Sequence, residues 1–81
     1  VTKFTTQRAN DLVGYIEHVY ELKDGRRLLV ATIYETVDGR YKFSCKHKLH
    51  SESYARVCDA KHDLFQLLEF YAKSPVDLTT A

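Results

Sequence analysis

The side chains in this 81-residue chain that could do chemistry gather in its second half. Cys45, His47 and His50 fall close together, and Cys58 and His62 follow a short way on. On a strand Cys45 and His47 would share a face, and on a helix Cys58 and His62 would share a side. Four thiolates and imidazoles are what a tetrahedral zinc ion takes. Neither spacing is that of a common zinc finger, and alternation puts Cys45 and His47 on an apolar strand face. Buried thiols and a packed imidazole are therefore expected, with no metal. With two cysteines and no leader pattern at the start, free thiols in a cytoplasmic setting are expected rather than a Cys45–Cys58 disulfide.

Cys58-Asp59-x-x-His62 also brings a thiol, a carboxylate and an imidazole together, the ingredients of nucleophilic catalysis. Such groups act only when they converge in a cleft beside an oxyanion site. No glycine-rich phosphate loop, G-x-S-x-G elbow or H-E-x-x-H run occurs, and two of the three glycines belong to turns. Asp59 reads instead as a helix cap and His62 as a solvated helix residue. A chain this short buries roughly 60% of its unfolded surface, enough for one thin core and no large enclosed cavity. No enzyme activity, cofactor or small-molecule substrate is expected.

Charge is the third candidate. The net value is +1, but residues 23–50 hold seven cations against three carboxylates, between acidic flanks. Arg40, Lys42, Lys46 and Lys48 alternate with apolar residues and have no acid among them. A strand with such a face, beside Tyr20 or Tyr34 as a stacking ring, could track phosphates. Edge strands also carry lysine simply to discourage edge-to-edge pairing.

The elements that must position these residues follow from pattern. Asp24-Gly25 and Asp38-Gly39 lie between alternating apolar runs, the strongest short hairpin signal. They divide residues 12–22, 26–36 and 40–50 into three strands of matched length, an antiparallel meander with the middle strand central. Residues 12–22 also fit helical spacing, but Gly14 and the density of β-branched and aromatic residues favour a strand. Ala60, Leu64, Leu67, Leu68, Tyr71 and Ala72 form one stripe at helical spacing, so a C-terminal helix is expected over 59–73, stopped by Ser74-Pro75. The expected fold class is α+β, with the helix packed on one face of the sheet. Residues 1–81 make a single small domain, with 1–10 and 75–81 as flexible ends. No apolar run approaches the ~20 residues of a membrane span, so no membrane is expected.

If both turns have two-residue loops, Val13, Tyr15, Val19, Leu28, Val30, Tyr34, Tyr41, Phe43 and Leu49 face inward. Ile16, Tyr20, Leu29, Ala31 and Ile33 then face out; three-residue loops would exchange part of the second strand. One helix covers one face, leaving Ile16, Tyr20, Leu29 and Ile33 as an apolar surplus, and such a patch marks an interface. The expected function is a non-enzymatic interaction module that binds a protein partner or itself through that face, with residues 1–11 and Phe4 as an alternative cover. Nucleic-acid binding through Arg40, Lys42, Lys46 and Lys48 is the alternative function. The order of a three-stranded meander and a C-terminal helix resembles the sheet-reading DNA-binding modules of some phage integrases and plant transcription factors, and part of the double-stranded-RNA-binding fold. That likeness lies in element order alone.

Overall fold

A computed structural model describes residues 2–9, 14–73 and 76–80. The strands are β1 (Thr2–Arg8), β2 (Ile16–Lys23), β3 (Arg26–Glu35), β4 (Tyr41–Cys45) and β5 (Val76–Thr80), with helix α1 (Val57–Ala72) between the last two. They form one sheet in the order β4-β3-β2-β1-β5, with β1 to β4 antiparallel and β5 parallel to β1. The fold is α+β, as the pattern implies. The sheet is wider than the expected meander, because Thr2–Arg8 and Val76–Thr80, read as flexible ends, are strands that pair with each other. Residues 2–8 therefore extend the sheet rather than cover it, and Phe4 joins the core.

Two turns and one bulge decide which side chains face where. Lys23 pairs with Arg26 across Asp24-Gly25, both at positive φ (52° and 74°), the two-residue turn whose twist matches paired strands. The second hairpin differs. Thr36 N–H donates to the Arg40 carbonyl at 2.7 Å and Gly39 N–H to the Thr36 carbonyl at 3.0 Å, so three residues form the loop. Gly39 takes φ 80°, which a side chain would resist. Within the β2–β3 ladder, Val19 pairs with Ala31 but Tyr20 with Leu29, so Val30 is an extra residue. Beyond that bulge the faces exchange relative to a uniform ladder. Ala31 and Ile33 turn inward opposite Cys45 and Phe43, and Tyr34 turns outward opposite Lys42.

The core comprises Phe4, Val19, Ala31, Ile33, Phe43 and Cys45 from the sheet against Ala60, Leu64 and Leu68 of α1. The helix starts two residues earlier than expected. Arg56, extended at φ −134°, is its N-cap without a side-chain bond, and Asp59 lies inside the first turn, paired with the Arg56 guanidinium at 3.3 Å. A carboxylate there still favours the positive end of the helix dipole. Lys73, in left-handed conformation, closes the other end by donating its N–H to the Glu69 carbonyl at 3.1 Å.

The expected third strand over 40–50 is cut short. It ends at Cys45, and a turn at Lys46-His47 brings Lys48 back to Cys45 through backbone bonds of 3.0 and 3.1 Å. The chain then runs beside β4. Ser51 N–H donates to the Phe43 carbonyl, Phe43 N–H to Ser51 Oγ, and Tyr41 and Tyr54 exchange backbone bonds of 2.9 and 2.8 Å. The free edge of β4 is thus satisfied by its own following segment, which does the work that lysines were expected to do there. Leu49, expected inside, is exposed as a result.

Candidate interaction surface

The covered face of the sheet carries one polar cluster. Glu17, 3% exposed, accepts a hydrogen bond from the Tyr15 hydroxyl and one from Thr6, and pairs with Lys61 Nζ of α1 at 2.9 Å. Burial pushes the Glu17 carboxyl upward, but the bonds from Tyr15, Lys61 and Thr6 outweigh it and hold the group below the usual carboxylate range. Tyr15 shifts the other way, raised by burial and by its bond to Glu17. The Arg8 guanidinium lies 3.9 Å from the Tyr15 ring centre, and Tyr41 meets that ring edge-on. Tyr15 and Lys61 both meet Glu17 Oε1, so the cluster pins helix to sheet. Tyr15 and Tyr41 were expected on this face, but Glu17, Thr6, Arg8 and Lys61 did not stand out in the sequence. A glutamate among apolar alternation was the available signal for Glu17.

The cysteine and histidine candidates do not converge. Cys45 is buried beneath α1 and Cys58 is exposed at its start, and both are free thiols. The His47 ring stacks on Tyr71 at 3.8 Å, and His62 lies 3.1 Å from Gln66 on the same helix. Among the described residues, no group of three or more His, Cys, Asp or Glu side chains is placed to hold a metal ion. Tyr54, on the segment beside β4, is raised to about 12 by burial and by a hydrogen bond with Asp63. A cleft of about 180 Å3 lies between β3, the Lys46-His47 turn and the end of α1, lined by Phe4, Val30, His47 and Tyr71 among others. Small-molecule pockets are usually about 300–1,000 Å3, so this one would take a fragment at most.

The four basic residues of the sequence reading are dispersed. Arg40 sits in the second turn region with its guanidinium on the Ser53 carbonyl, Lys46 lines the cleft, and Lys48 occupies the turn beside Cys45. Only Lys42 stands on a strand, facing away from the helix. The apolar patch is also revised. Ile16, Tyr20 and Leu29 do face outward, Leu29 at 58% exposure, but Ile33 is fully buried because the bulge and the three-residue loop turn it under α1.

What this leaves on the open face of β1–β4 has a distinct chemistry. Ladder partners place Lys3, Thr5 and Gln7 beside Leu22, Tyr20 and His18, these beside Arg27, Leu29 and Thr32, and Tyr34 and Thr32 beside Lys42 and Ser44. The Arg27 guanidinium lies 4.9 Å from the Tyr20 ring centre and donates to Gln7 Oε1 at 3.2 Å. His18 meets Tyr20 edge-on at 6.3 Å, with its Nδ1 3.2 Å from the Thr32 hydroxyl. Glu17, Glu21 and Glu35, the acids of β2 and β3, all belong to the opposite face. The open face of β1–β4 therefore holds three rings, three permanent cations and no carboxylate, and on the adjoining β5 the ladder partner of Lys3 is Asp77. No described helix lies on it, since α1 packs on the core side. Lys3 and Gln7 escaped the sequence reading because β1 was not expected to be a strand, and Tyr34 because the bulge was not foreseen; the signal for His18 was its place between Ile16 and Tyr20 in the alternation of β2.

Compared with known proteins, the chain matches no family model, no curated protein and no solved structure. Among the described residues, no helix is long and apolar enough to cross a membrane.

Proposed function

We propose that this chain is a small non-enzymatic interaction module whose contact surface is the open face of β1–β4. The observation that supports this most is the one-sidedness of the fold. A single helix covers the face bearing Val19, Ile33 and Phe43, while Ile16, Tyr20, Leu29 and Tyr34 stand on the other. Leu29 is more than half exposed there and Ile16, Tyr20 and Tyr34 are half-buried, and apolar side chains gathered on an uncovered sheet face commonly mark an interface. The free thiols Cys45 and Cys58 support a reducing, cytoplasmic setting.

A second reading places a protein partner at the end of α1. Phe70 is 72% exposed and packs edge-on against Tyr71 at 5.2 Å, with His47 stacked on the other ring. Aromatic residues are enriched at interface hot spots, which favours this corner for protein contact.

Hydroxyl-radical footprinting of the free chain across a concentration series tests the main reading. Tyr20, Tyr34 and Leu29 should be oxidised readily at low concentration. Oxidation that falls as concentration rises means that a second copy occupies the face. Protection of all three at every concentration would mean that the chain itself covers the face, and the reading fails.

A further inference from the structure

We infer that the occupant of the open sheet face is a single-stranded nucleic acid, an inference that rests on the reading of that face as the contact surface. The register is what changes the chemistry. A uniform ladder would have placed Ile33 outside and Tyr34 inside, leaving Tyr20 as the one tyrosine beside Ile16, Leu29 and Ile33. The bulge at Val30 and the three-residue loop instead bury Ile33 and bring out Tyr34 with its neighbour Lys42.

The resulting face has the three parts that sequence-tolerant single-strand binding requires. Rings come first. His18 and Tyr20 alternate along β2, their centres 6.3 Å apart, and Tyr34 lies one strand over beside Ile16. Bases can stack on such rings whatever their sequence, and a single strand, unlike a duplex, can turn its bases onto them. Cations come second, at both ends of the row of rings: Lys42 beside Tyr34, and Arg27 against Tyr20 with Lys3 beyond. Hydrogen-bonding groups fill the middle, namely Gln7, Thr32 and Ser44. Across β1–β4 this face carries cations and no carboxylate, which favours a polyanion over a protein surface of mixed charge; the acid nearest in the ladder is Asp77, the β5 partner of Lys3, at the edge of the sheet. Tyr20 and Arg27 act as a unit, because the guanidinium over the ring gives one N–H to Gln7 and has further N–H donors to offer a phosphate.

The test is fluorescence anisotropy with a labelled oligothymidylate of about a dozen nucleotides at low salt. Parallel titrations use a duplex of the same length and polyglutamate. The single strand should bind with a dissociation constant of about 1–100 µM, as electrostatic binders with few contacts do. The log–log salt slope should be about −2, from three cations at about 0.7 each. Arg27→Gln and Lys42→Gln should each reduce that slope by about 0.7. Tyr20→Leu should weaken binding about tenfold with its slope unchanged, because stacking carries no counterions. Thermal melting of each variant shows whether the fold is intact, and the two glutamine variants, at the exposed Arg27 and the half-buried Lys42, keep the test readable if Tyr20→Leu does not fold.

Equal binding of duplex overturns the single-strand claim, and equal binding of polyglutamate assigns the face to an acidic peptide. No binding of the oligonucleotide overturns the inference outright. If that happens while footprinting finds the face accessible at low concentration, the reading of the face as a contact surface survives; if it is protected throughout, both fail.

Discussion

Replacing Lys61 with methionine should reveal how the buried carboxylate of Glu17 is held. The change keeps the aliphatic stem over the sheet and removes the ammonium that lies 2.9 Å from Glu17. Breaking a fully buried ion pair costs about 3–5 kcal/mol, and breaking an exposed one about 0–1 kcal/mol. Here the carboxylate is buried but the lysine side chain remains 32% exposed, so solvent screens part of the attraction. Tyr15 and Thr6 still donate to the carboxylate afterwards. A loss of about 1–3 kcal/mol at neutral pH follows. The pH dependence carries more information. In the native chain burial raises the Glu17 carboxyl, yet its three donors bring it below its unfolded value. Its contribution to stability is therefore complete above the ordinary carboxylate range and is lost as pH falls through the native value. Without Lys61 the burial effect gains weight, the native value moves up, and the acid-side loss from this residue shrinks. Urea midpoints measured from neutral pH down through the carboxylate range should show the two proteins farthest apart near neutrality and converging in acid. Parallel curves separated by a constant offset would refute the reasoning.

Other consequences can be checked by melting and spectroscopy. Leu64→Ala, at a fully buried site between helix and sheet, should cost about 2–5 kcal/mol, and Leu68→Ala a similar amount, read as urea midpoints. Leu29→Lys, on the open face, should leave the melting temperature within a few degrees of the parent, because that side chain is more than half exposed. Deleting Val30 removes the bulged residue while preserving alternation on both sides, so the variant should fold with the same faces at a cost of about 1–2 kcal/mol for lost packing.

The meander, the central place of β3 and the helical stripe of Ala60, Leu64 and Leu68 were legible in the sequence, because periodicity reports directly on which residues share a face. β2 was readable as a strand with Ile16 and Tyr20 outward and Val19 inward. What failed was counting residues in places that pattern does not mark. Asp-Gly occurs in both hairpins, yet the first closes with two residues and the second with three, and the dipeptide does not distinguish them. Leu28-Leu29-Val30-Ala31 is apolar throughout, so nothing in it betrays which residue is extra. The turn at Lys46-His47 uses neither glycine nor proline. β1 is rich in threonine and flanked by charge, and it reads as a polar end until a neighbouring strand pairs with it. The bulge and the three-residue loop have the largest effect on the site, because they exchange Ile33 for Tyr34 on the open surface.

The most direct measurement of the functional account is a nitrogen-15 and side-chain NMR titration of the intact chain with oligothymidylate. The account predicts shift changes at the His18, Tyr20 and Tyr34 rings, the Arg27 guanidinium and the Thr32 and Ser44 amides, with α1 and the core resonances of Leu64 and Ile33 unmoved. Changes centred on Phe70, Tyr71 and the Lys46–Lys48 turn, or none at saturating oligonucleotide, would contradict it.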